Sequence, residues 1–240
     1  MLQKEQGILL STIPHNDKTS VVHIFTKSHG HVSFIFHLAK TGKSVARNTL
    51  LQPLTQIEFD TQYIPTNSLQ QFREPKNSSP YTDIPFNPVK RAVALFISEF
   101  LSYSLKEESK NERLFNYIEN SINWLDGSSN FSNFHLIFMI GVTQFLGICP
   151  NSDNYLPGSF LDLQNGDFSK EEPSHNDYLS AELSYKFALL LSSEYDNMDN
   201  VPLTRQGRIQ MLNCMNEYFK LHIPSFPTLK SIEILESIFE

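Results

Sequence analysis

The spacing of apolar residues changes near residue 80, and that change does most to limit the fold. Before it, short runs rich in β-branched and aromatic residues follow one another: Gly7–Leu10, Val21–Thr26, Val32–Leu38, Leu54–Asp60 and Leu69–Arg73. Turn chemistry separates them at Pro14-His15-Asn16-Asp17, Ser28-His29-Gly30, Thr41-Gly42 and Ile64-Pro65-Thr66-Asn67. In the third run Val32, Phe34 and Phe36 alternate with Ser33, Ile35 and His37, which sets the first three on one face of a strand. Short strands in such number hide their edges best by closing on themselves. A small five-stranded OB-type barrel is the economical solution, and an SH3-like barrel fits the pattern nearly as well.

The polar, proline-flanked stretch Glu74–Pro80 then marks a boundary, and Pro88 suits the first turn of a helix. From there the period is helical. Val89, Val93, Phe96, Phe100 and Tyr103 share one face. A second helix is expected to open on a capping box, Ser109 with Glu112, to bury Leu114, Ile118, Ile122 and Leu125, and to stop at Gly127. A third runs from about Asn133 to Leu146 and ends at Gly147 and Pro150. Asn165-Gly166 predicts a small hairpin joining Phe160–Leu163 to Asp167–Ser169, an insertion near residues 158–170. Helices follow near 176–193, 204–221 and 228–239, the last two capped by Thr204 and Thr228. The expected fold is α+β: an N-terminal five-stranded OB-type β-barrel over 1–80, then an all-helical C-terminal domain over 81–240.

Composition removes several classes. With 40% hydrophobic and 19% charged residues the chain has the apolar mass for a core, so wholesale disorder is excluded. The most apolar stretch, Phe134–Cys149, is broken by His135, Gly141, Thr143 and Gln144, so no membrane span is expected. The opening MLQKEQGILLS has no cleavage pattern, and a cytoplasmic protein is expected. Cys149 and Cys214 have no CxxC partner and sit in apolar helical surroundings, where buried packing thiols are expected. The net charge of −7 is unevenly divided: residues 1–80 carry +3 and the remainder −10. A polyanion, if bound, would meet the N-terminal third.

Catalytic motifs are missing: there is no GxSxG, P-loop, HExxH or GxGxxG. His175-Asn176-Asp177 is no stronger a hint than chance provides. His23, His29, His31 and His37 would hold a metal only if the strands gathered them, and solvent-facing histidines are the ordinary outcome. No enzyme, metal or cofactor is therefore expected. Binding has better support. Lys40, Lys43 and Arg47 form a basic connection after the third strand, with Thr41, Ser44, Asn48 and Thr49 as further phosphate donors. Phe25, Phe34, Phe36, Phe59, Tyr63 and Phe72 are possible stacking platforms, of which a barrel must bury about half.

Taken together, these residues resemble the RecO family of bacterial DNA-repair and recombination mediators along nearly the whole chain. Gly7-Ile8-Leu9-Leu10, then Val21-Val22-His23-Ile24-Phe25-Thr26 with Gly30-His31-Val32, is similar to the family's opening. So is Leu51-Gln52-Pro53-Leu54 after a basic loop, Phe145–Pro150 before a hairpin, and Leu229-Lys230-Ser231 at a late helix start. The resemblance implies single- and double-stranded DNA binding, strand annealing, and loading of RecA onto DNA coated by single-strand binding protein (SSB). It implies RecR and the acidic SSB tail as partners, and a nucleoid-associated place in the cytoplasm. On the mediator reading, this chain's own residues place phosphate contact on Lys40, Lys43 and Arg47, helped by Lys27 and Arg73, and base stacking on Phe36 or Tyr63. Relatives often hold zinc with two cysteine pairs near the hairpin; only Cys149 lies there, so no zinc is expected. His37-Leu38 stands where relatives often carry Lys-Gly. No Lys or Arg occurs between Asn130 and Gln144, so tail binding would fall to Lys90, Arg91 or Arg113. The competing expectation is a protein-interaction adaptor with little DNA affinity of its own.

Overall fold

A computed structural model describes residues 2–37 and 50–238. Among them β1 (Gln3–Asn16), β2 (Thr19–Thr26), β3 (Gly30–His37), β4 (Gln56–Thr61) and β5 (Gln70–Asn77) close into a barrel of order β1-β2-β3-β5-β4. β4 returns to β1, and β3 meets β5 in the parallel sense while the other neighbours are antiparallel. That closure is the OB-type solution and settles the choice between barrels. Strand alternation fills it: Val22, Ile24, Val32, Phe34, Phe36, Ile57 and Phe59 are buried together, with Phe72 against them. Phe34 meets Phe59 and Phe72 edge-on, the favourable arrangement for ring quadrupoles.

Two strands run further than their composition predicts. β1 continues through Pro14 because residues beyond Leu9 pair with β2 alone, and a missing N–H costs nothing on an open edge. The proline also blunts that edge. β5 absorbs most of the polar stretch that reads as a boundary. The ladder with β4 slips between Glu58 and Asp60, and Glu74 takes a positive φ of 49°, so a bulge accommodates Pro75.

α1 (Pro88–Ser104) follows, capped by Asn87, whose side chain accepts from the N–H groups of Val89 (3.0 Å) and Lys90 (3.2 Å). It buries Val93, Phe96 and Phe100 and ties to the barrel through the Ser98 hydroxyl, which donates to the Leu10 carbonyl. Tyr103, expected on the same face, is 41% exposed, because it stands at the edge of a buried stripe that continues through Leu101 and Ser104. α2 (Glu112–Gly127) buries Leu114, Ile118, Ile122 and Leu125 as predicted. Its cap is Asn111 rather than Ser109: the Asn111 Oδ1 accepts from Leu114 N–H at 3.1 Å, and Glu112 is already helical.

By its contacts the chain divides into two compact units, 1–127 and 128–240. In the second, α3 (Phe134–Leu146) is apolar almost all round and accordingly buried from Phe134 to Ile140, ending at Gly147 in the left-handed conformation. The hairpin appears as β6 (Phe160–Asp162) and β7 (Asp167–Ser169), and β8 (Tyr178–Leu179) adds a third strand beyond β6. α4 (Ala181–Leu191), a 3-10 turn (Tyr195–Asn200), α5 (Arg205–His222) and α6 (Ser231–Ile238) complete it. Thr204 caps α5 through Gly207 N–H at 3.1 Å, whereas α6 begins at Ser231, past Thr228. Cys149 is exposed rather than packed, since Gly147 has already ended α3 and turned the chain outward.

Gly30 opens β3 with φ +73°, and a Cβ there would lie 2.4 Å from the backbone of Glu108 and Ser109. Neither the conformation nor the space admits a side chain. Gly30→Ala is expected to cost roughly 2 kcal/mol or more, to be read as a lowered midpoint in denaturant unfolding. An unchanged midpoint would show that the 108–109 segment yields freely.

Candidate nucleic-acid interface

Of the candidate residues, Lys27 and Tyr63 stand on connections between barrel strands, Arg73 on β5 and Phe36 on β3. Lys40, Lys43 and Arg47 lie outside the described residues. Lys27, in the β2–β3 turn, is half-buried; its Nζ is 3.8 Å from Glu112 Oε1 and 5.8 Å from the centre of the Phe115 ring. Its charge is therefore partly engaged. Arg73 is exposed on β5 opposite Asp60 and lines a recess of about 280 Å³ with Ile64, Asn67 and Gln70.

The two stacking candidates separate cleanly. Phe36 is 3% exposed and packs against Phe72, so no base reaches it; strand alternation from Phe34 carries it into the core. Tyr63, in the β4–β5 connection, is 37% exposed. Its ring stacks on His29, centroids 4.0 Å apart and planes 12° off parallel. That partnership joins two turns distant in sequence. It carries no local signal beyond the turn residues themselves.

Both turns are rigidly set. Thr26 Oγ1 donates to Gly30 O at 3.0 Å and accepts from His29 N–H at 3.1 Å. The buried Glu5 accepts from Ser28 N–H (3.2 Å) and Gln6 N–H (3.0 Å) through Oε1, and Oε2 lies 3.7 Å from His29 Nε2. On the other side the buried Gln70 amide clasps the loop, accepting from Ile64 N–H at 3.0 Å and donating to the carbonyls of Ile64 (2.8 Å) and Asn67 (2.7 Å). A cleft of about 520 Å³ adjoins Glu5 and Ser28. Lys4, Lys27 and Lys76 line it against Glu5, Glu58, Asp60 and Glu74, which leaves it with no excess of positive charge.

The histidines do not converge. His23 and His31 stack at 5.4 Å, and burial, the His23 charge and Lys106 push the His31 imidazole down to about 4. His29 turns to Tyr63, and His37 is exposed at the end of β3. Among the described residues no group of three or more His, Cys, Asp or Glu side chains is placed to hold a metal.

Of the residues expected to meet an acidic partner, Lys90 is corrected. It is 1% exposed, its Nζ 2.7 Å from Asp83 Oδ2 and donating to the Asp126 carbonyl at 2.8 Å. The side chain ties the start of α1 to the end of α2 and has no surface to offer. Arg91 and Arg113 are exposed.

An OB-type barrel followed by helices is one of the folds that host many different binding functions, so the architecture defines a class and not yet a ligand. The chain belongs to the RecO family: it matches the family models for the recombination protein O N terminal over residues 1–81 and C terminal over 85–231. It is similar to the DNA repair protein RecO of Phocaeicola vulgatus, at 39% identity over the full length of both chains. The same protein from Bacteroides fragilis is 38% identical over both full lengths, and that from Flavobacterium psychrophilum 31% over 98% of each. Among the described residues no helix is long and apolar enough to cross a membrane.

Proposed function

We propose that this chain is a recombination mediator that works by binding rather than by catalysis. In this reading it holds single- and double-stranded DNA, anneals complementary strands and helps RecA onto SSB-coated DNA in the cytoplasm, at the nucleoid. The observation that carries it is the OB-type barrel in a chain matched over nearly its whole length to a DNA-repair family. Annealing is at root charge neutralisation, since two polyanions approach only where cations lower their repulsion. Lys40, Lys43 and Arg47 supply that charge, with Arg73 and the partly engaged Lys27 beside them. Arg91 and Arg113 are the exposed cations left for an acidic partner such as the SSB tail, and RecR is the other expected partner.

The cleft, with no excess of positive charge, favours one rival, an adaptor whose barrel grips protein instead of DNA. Annealing separates the two. Complementary oligonucleotides bearing a donor and an acceptor dye should pair faster in the presence of the protein, with the acceleration fading as salt rises. Unaccelerated pairing, together with no binding of either oligonucleotide, leaves the adaptor in front.

A further inference from the structure

We infer that the Tyr63–His29 stack is the platform on which one unpaired base of a single strand lies, and so the element that tells single strand from duplex. The inference rests on the DNA-binding reading above. Charge makes a poor discriminator here, because the three lysines of the adjoining cleft face the four carboxylates of Glu5, Glu58, Asp60 and Glu74. A flat aromatic face discriminates well: a base in a single strand is free to leave its neighbours and stack, whereas a base in a duplex is already stacked on both sides.

Three observations set this pair apart from an incidental surface contact. Tyr63 keeps 37% of its surface open although His29 covers one face of the ring. Each half of the stack stands on a turn locked by buried polar groups, Glu5 beneath His29 and Gln70 beneath Tyr63. A buried carboxylate is costly, and Glu5 spends its oxygens on the turn that carries His29. A platform held in its binding geometry before the ligand arrives loses little entropy on binding.

Fluorescence anisotropy of labelled oligo-dT and of a labelled duplex, with the full chain, tests this. Tyr63→Ala should weaken oligo-dT binding about tenfold and leave duplex binding unchanged, while Tyr63→Phe, which keeps the ring, should bind both like the wild type. His29→Ala should follow Tyr63→Ala in direction. Because Tyr63 lies in an exposed loop, denaturant unfolding of Tyr63→Ala should match the wild type. Equal loss on both ligands, or undiminished oligo-dT binding by Tyr63→Ala, overturns the platform while leaving DNA binding intact. Failure of the wild type to bind either ligand overturns the DNA-binding reading and the platform with it.

Discussion

Replacing Lys40, Lys43 and Arg47 together with alanine is expected to remove most of the salt dependence of single-strand binding. On a single strand each neutralised phosphate contributes about −0.7 to the log–log slope, so three contacts give roughly −2. Raising salt from about 50 to 200 mM should then weaken the wild type roughly 20-fold and the variant by only a few-fold, through the residual contacts of Arg73 and Lys27. The other cations are poorly placed to replace the three. Lys27 faces Glu112 and Phe115, and Lys90 is sealed against Asp83. In the second unit Lys220 pairs with Glu217 at 2.9 Å, and Arg208 donates to the Leu203 carbonyl. Oligo-dT titrations at several salt concentrations measure the slope. A variant that kept a slope near −2 would move the phosphate contacts to residues such as Arg73, Lys4 or Lys76.

The barrel was legible because its strands obey one rule. Val32, Phe34 and Phe36 alternate with polar or half-buried neighbours, and that alternation alone carries the ring of Phe36 inward. The alternation that seals Phe36 in the core is thus visible in the sequence, and so is the fate of Lys90. Helical spacing aligns Lys90 with Ala94, Ile97 and Leu101, all buried, and a cation on that stripe must find its partners inside. Asn87-Pro88 was equally plain, as a cap followed by a residue that lacks the N–H a first turn does not need.

What escaped the sequence was set by partners far away or by too few residues. β8 is two residues long, too short for any period to show. Ser109 and Asn111 both offer an oxygen before α2, and local pattern does not rank them. Pro14 and Pro75 read as strand ends, yet one lies on an open edge and the other beside a bulge, both consequences of pairing with other strands. The His29–Tyr63 stack joins two turns that only the closed barrel brings together. Turn residues announce that the chain reverses, and they say nothing of which other turn they will face.

The second large effect is expected at Asp126, where α2 ends. Oδ2 accepts from Thr82 N–H (2.7 Å) and the Thr82 hydroxyl (2.9 Å), and Oδ1 from the N–H groups of Asp83 (2.9 Å) and Ile84 (2.8 Å). Lys90 binds the same segment from the other side, through Asp83, and reaches the Asp126 carbonyl. One carboxylate therefore fixes the turn that leads from the barrel into α1. Asp126→Ala strips partners from three backbone N–H groups at once. Hydrogen bonds to a charged group are worth about 1.5–3 kcal/mol each but do not add, so a loss of roughly 3 kcal/mol is expected at neutral pH. Acid should shrink that difference. Burial alone would raise the Asp126 pKa, but the hydrogen bonds from Ile84, Thr82 and Asp83 outweigh it and hold the group below the usual carboxylate range. A depressed pKa means stability that is fully present above about pH 4, the unfolded value, and is lost as pH falls through the folded one. The charge-dependent part of the wild type's advantage over Asp126→Ala should thus narrow below about pH 4. Trp124, the single tryptophan, stands two residues away, so its fluorescence in urea follows this unit directly. A loss under about 1 kcal/mol, or a gap that stays constant into acid, would mean that the turn is held by Lys90 and Asp83 without the carboxylate.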